Sequence, residues 1–143
     1  MITAAASAAA LSLALVGCGS HAARTPAASI TKAQAVRRYE ADVAPGNAVA
    51  NTLSGELTSS TSSAQVRSDG APFIRVTRSL DPKLTALARA YPPAADALRA
   101  EVGADEALIT DFAKGSQTSL SEDIQDDQSA VDLVRSDLGL SRR

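Results

Sequence analysis

One cysteine, one histidine and one short run of acids are the residues of this 143-residue chain whose types could do chemistry. Cys18 is the sole thiol, which excludes a disulfide framework and any multi-thiolate metal site. What remains for it is nucleophilic chemistry, carried by the thiolate. His21 is the sole imidazole, and one imidazole cannot build a two-His zinc motif or the paired Glu-x-x-His sites of di-iron bundles. Glu122, Asp123, Asp126 and Asp127 form the densest charge cluster. They lack the alternating ligands and central glycine of a calcium loop. Early in a helix such acids are favoured by the macrodipole, so the cluster reads as a solvated face, with a weak cation site or a basic partner as the alternative. The eight glycines are scattered and form no phosphate-cradling loop. Net charge is −2, without the basic excess of a nucleic-acid binder. The inventory is that of a chain that is not an enzyme, with no cofactor, no metal and no nucleic-acid partner.

Position gives Cys18 its meaning. Residues 4–16 are an apolar run of Ala, Leu, Ser and Val. At ~1.5 Å per residue it spans about 20 Å as a helix, short of the ~30 Å hydrocarbon core. That is the length of a secretory h-region, although Met1-Ile2-Thr3 supplies no positive charge before it. Leu15-Val16-Gly17-Cys18, which closes the run, resembles the lipobox of bacterial lipoproteins. The resemblance implies diacylglycerol (palmitate-bearing) on Cys18, cleavage between Gly17 and Cys18, and anchoring on the extracytoplasmic side of the cell membrane. Two acyl chains, at roughly 0.8 kcal/mol per buried CH₂, suffice to anchor stably where one does not. Two alternatives stay open. Ser20-His21-Ala22 could be a small-x-small cleavage site that releases a soluble protein, or Cys18 could be a small hydrophobe in an unprocessed helix. The expected organisation is a signal peptide over 1–17, a flexible tether over 18–29 and a helical bundle domain over 30–143.

Helical periodicity dominates the rest. Thr31-Lys32-Ala33-Gln34 matches a capping box. Ser29-x-x-Lys32 also matches the string of penicillin-binding enzymes, but the companion Lys-Thr-Gly and Ser-Asp-Asn motifs are absent, so Thr31 reads as a cap. Val36, Val43, Ala50 and Leu57, with Tyr39 and Leu53 between, make one apolar stripe. Pro45 predicts a kink within it. The Ser/Thr run 58–63 weakens helix, so residues 59–71 read mostly as a connector, with O-glycosylation as a functional alternative. Pro72 then opens the next helix, with Phe73, Leu80 and Leu87 as its stripe, interrupted at Asp81-Pro82 and ended by Pro92-Pro93. Ala95, Leu98, Val102, Ile109 and Phe112 form the third stripe, closed by Lys114-Gly115. Ser119 and Glu122 repeat the capping-box pattern, and Leu120, Ile124, Val131, Val134 and Leu138 carry the fourth stripe up to Gly139-Leu140. All four aromatics lie on stripes and read as core. No stretch alternates with period two. The fold expected is all-α: a small antiparallel bundle of about four Pro-kinked helices.

Charge is uneven along the chain: residues 18–100 carry a net +4 and residues 101–143 a net −6. The two parts read as attracting each other within the bundle, with attraction of the basic part to anionic headgroups as the alternative. Arg38-Tyr39 leading into Ala44-Pro45-Gly46-Asn47, and Val134-Arg135-Ser136-Asp137-Leu138-Gly139-Leu140, resemble small actinobacterial envelope lipoproteins, as do the Arg-rich, Ala-rich composition and the lipobox. That likeness implies location and fold, and no site beyond Cys18. Two functions fit: a lipid-anchored helical module docking on another envelope protein, or a carrier of a small apolar ligand or lipid between its helices. A carrier needs a cavity of a few hundred Å³, whereas a docking module is filled inside and apolar outside.

Overall fold

Thr31 begins the first helix as its box requires. Its hydroxyl accepts from the Gln34 N–H at 3.3 Å, and its own N–H donates to Gln34 Oε1 at 2.9 Å. The computed structural model describes residues 29–57 and 62–141, and among these there are four helices and no strand. They are α1 (Lys32–Glu56), α2 (Ser63–Ala90), α3 (Ala95–Lys114) and α4 (Leu120–Leu138), with one 3₁₀ turn at Pro92–Ala94. Cys18, Gly17, His21 and the expected signal peptide lie outside the described residues.

Neighbouring helices run antiparallel and pack in chain order, α1 on α2, α2 on α3 and α3 on α4, while α1 and α4 touch only slightly. At one end the α1 entry is pinned to the α2 exit by an Ile30 N–H to Ala90 O bond of 3.0 Å. At the other end Arg67 Nη1, near the start of α2, donates to Lys114 O at the end of α3. Both glycine stops form as expected. Gly115 (φ +69°) and Gly139 (φ +72°) take the left-handed conformation and let the following residue bond back, Ser116 N–H to Asp111 O and Leu140 N–H to Arg135 O.

The structure corrects several expectations. Residues 63–71 are helix and not connector: Ser62 caps the Gln65 N–H, and α2 runs unbroken through Pro72 and Pro82. The reason is burial. Val66, Gly70, Phe73, Thr77, Leu80, Leu84 and Leu87 are buried at alternating steps of four and three, one continuous stripe. Pro45, Pro72 and Pro82 all sit on exposed faces, where carbonyls freed by the missing N–H can meet water. Helix α1 likewise passes Pro45 without a break. Gly70 belongs to this stripe because α3 comes close; a Cβ there would stand 2.7 Å from Phe112 Cβ.

Ser119 does not build the second capping box. Its backbone is already helical (φ −93°, ψ −16°), and its hydroxyl donates to the buried Asp111 carboxylate instead. Among the described residues no ion pair joins the two charged parts. Among the described residues the ion pairs are Arg38 and Lys83 with Asp42, and Arg99 with Asp96, all within the basic part.

The apolar core is split in two. One cluster gathers Ala35, Tyr39, Leu84, Leu87, Leu98, Val134 and Leu138 at the end where the chain enters α1. The other gathers Leu53, Val66, Phe73, Leu108, Phe112 and Leu120 at the opposite end. Something polar lies between them.

Candidate functional site

Helix α3 places its residues on the core at 98, 101, 105, 108 and 112, steps of three and four. Leu98, Leu108 and Phe112 fill three of those positions, and Glu101 and Asp105 the other two, only 3% and 6% exposed. On α4 the same spacing runs through Leu120, Ile124, Asp127, Val131, Val134 and Leu138, so Asp127 turns inward while Glu122 and Asp126 stay exposed. The expected solvated face therefore includes a residue that is partly buried. Asp81 of α2 joins the same layer, within hydrogen-bonding reach of Asp105. Four carboxyls from three helices thus interrupt the core.

Burial governs their protonation. It is the main cause holding Asp105 protonated up to about 9, reinforced by the charges of Asp127, Asp81 and Glu101. Burial likewise pushes Glu101 up to about 8, against the opposing hydrogen bond from Tyr39. Tyr39 Oη donates to Glu101 Oε1 at 3.2 Å, and its own proton is held well above the usual phenol range by burial and then by the Glu101 charge. Asp127 rises to about 6, mainly by burial, with the Asp105 hydrogen bond pulling the other way. Asp81 is raised by burial and by the Glu106 charge, against its bond with Asp105.

Asp81 Oδ1, Glu101 Oε2 and Asp105 Oδ2 are buried without a hydrogen-bond partner. Ionised, the four acids would be acceptors facing acceptors, which costs heavily in a low-dielectric interior. A proton on Asp105 makes it a donor to Asp127 or Asp81 and relieves this. Among the described residues no group of three or more acids, His or Cys is arranged to hold a metal ion.

Asp127 also reaches a second feature. Beside the second apolar cluster, where α1 and α4 diverge, there is a cleft of about 460 Å³. Its apolar lining is Ala50, Leu53 and Leu57 from α1, Phe73 from α2, Leu108 and Phe112 from α3, and Ile124 and Val131 from α4. The Phe73 and Phe112 rings stack at 5.4 Å with a 54° tilt. The polar lining is Asn47, Asp127, Gln128 and Asp132. Among the described residues the walls present no thiol, imidazole or hydroxyl.

Sequence reasoning passed over Glu101, Asp105 and Asp81, because the third stripe was followed through Val102 and Ile109, which the structure leaves half-buried. The signal was present: two acids at three- and four-residue steps between Leu98 and Leu108. Ser29 and Lys32, whose Ser-x-x-Lys string gives way to the Thr31 cap, are exposed at the start of α1. Compared with known protein families, curated proteins and solved structures, the chain matches none.

Proposed function

We propose that this chain is a non-catalytic lipoprotein of the bacterial cell envelope, held on the extracytoplasmic face of the membrane through a lipid on Cys18, and that its helical domain carries a small apolar ligand. The observation that supports carriage over protein docking is the cleft: about 460 Å³ with mainly apolar walls. That volume lies within the range of small-molecule sites, roughly 300–1,000 Å³. A docking module needs an apolar outer surface, and Leu133 is the only large hydrophobic residue exposed among the described residues.

Anchor and carriage are tested separately. Radiolabelled palmitate fed to the producing cells is expected to mark the wild-type chain and not Cys18→Ser; an unlabelled wild type overturns the anchor. Native mass spectrometry of the full chain purified from its own cells is expected to show a bound small molecule that denaturation releases. Repeated recovery of the bare chain, together with no binding of apolar probes, overturns carriage.

A further inference from the structure

The cleft has a sign. Its polar lining consists of two carboxylates and two amides, with no lysine or arginine among them. Asp127 and Asp132 stand on the same wall, both on α4. Behind Asp127 lies Asp105, which burial keeps protonated up to about 9, so at neutral pH the charge of the pair rests on Asp127. Among the described residues no ion pair reaches any of these acids. Glu101 and Asp105 are both more than nine-tenths buried, and each keeps one oxygen with no partner. A carboxylate set among leucine, isoleucine and phenylalanine is stabilised by a cation placed beside it.

Resting on the carrier reading, we infer that the occupant of the cleft is a small amphipathic cation, an apolar body bearing a protonated amine drawn to the α4 wall by the charges of Asp127 and Asp132. The body lies along Leu53, Leu108 and the Phe73–Phe112 pair, and the ammonium donates to the carboxylates. Anionic amphiphiles, fatty acids included, are repelled from the same wall. Neutral ones gain only the apolar contact.

A matched trio tests this on the full-length chain by titration calorimetry at neutral pH: 4-phenylbutylamine, 4-phenylbutan-1-ol and 4-phenylbutanoate. The amine is expected to bind about tenfold more tightly than the alcohol, and the carboxylate more weakly than either. In Asp127→Asn/Asp132→Asn the amine falls to the level of the alcohol while the alcohol is unchanged, a control that also reports an intact cleft. Equal binding of amine and alcohol to the wild type overturns the inference and leaves carriage standing. Binding of none of the three overturns both.

A second measurement avoids mutation. The trimethylammonium analogue of the amine keeps its charge at every pH, so any pH dependence of its binding reports the protein. Its advantage over the alcohol is expected to shrink as pH falls through about 6, where Asp127 takes up a proton. The groups that set this titration are Asp81 on α2 and Glu101 and Asp105 on α3, with Tyr39 on α1 bonded to Glu101 and near Arg135 of α4. An advantage that stays constant from about pH 5 to about pH 8 overturns the role of Asp127.

Discussion

The two ends of the bundle are built from the same kinds of residue and packed to different standards. At the sealed end Leu84, Leu87, Leu98 and Val134 are fully covered, and all four helices contribute to one cluster. At the other end Leu53, Phe73, Leu108 and Phe112 also form a cluster, but the departure of α1 from α4 leaves a cleft in its side. The buried acids lie between the two. The difference is that the sealed end closes its core on every side, whereas the open end buries its apolar side chains beside a cleft.

Mutation should divide along that line. Leu98→Ala at the sealed end creates a cavity in filled core and is expected to cost about 3–5 kcal/mol. Leu53→Ala, whose side chain already borders open space, should cost about 1–2 kcal/mol, since little further cavity results. Urea unfolding of both variants measures the gap, and equal losses would break the distinction between the ends.

The acid layer predicts an unusual pH response. Glu101 and Asp105 release their protons near 4 when unfolded but keep them to about 8 and about 9 when folded. Between those limits the folded chain binds more protons than the unfolded one, so its stability is greatest at low pH and falls as pH rises. Since each pKa unit is worth about 1.4 kcal/mol, two such groups should lower stability markedly between about pH 5 and about pH 9. Thermal melts across that range check the sign, and Asp105→Asn should flatten the slope. A melting temperature that rises with pH would show the layer to be ionised and solvated.

Smaller effects sharpen the comparison. Gly70→Ala forces a methyl against Phe112 beneath the open end and should cost about 1–3 kcal/mol, measured by denaturation. Thr31→Ala removes a working cap at the sealed end and should cost about 1 kcal/mol by the same measurement.

Local chemistry was legible in the sequence wherever one residue acts on its near neighbours. The Thr31–Gln34 box, the two left-handed glycines and the stop at Pro92-Pro93 all follow from the rules of short segments. Reading failed where tertiary burial outweighs local preference. Small and hydroxylated residues over 63–71 look like a linker, yet Val66 and Gly70 are core because α3 approaches them. Ser119 looks like a cap, yet Asp111 takes its hydroxyl. Glu101, Asp105 and Asp127 escaped because a search for apolar stripes discards acids, although their spacing placed them on the stripe. The cleft was unreadable, since it depends on how far α1 stands from α4 and no residue type records that distance.

The backbone bond from Ile30 to Ala90 has a practical consequence. Helix α1 starts at the sealed end, and α4 finishes there too, with Gly139 beside the Lys32 ammonium. Entry to and exit from the four-helix unit therefore share one pole, and the cleft sits toward the other. A linker, tag or sensor surface joined at either end of the four-helix unit grips it by its base, so capture on a chip there leaves the mouth facing the liquid.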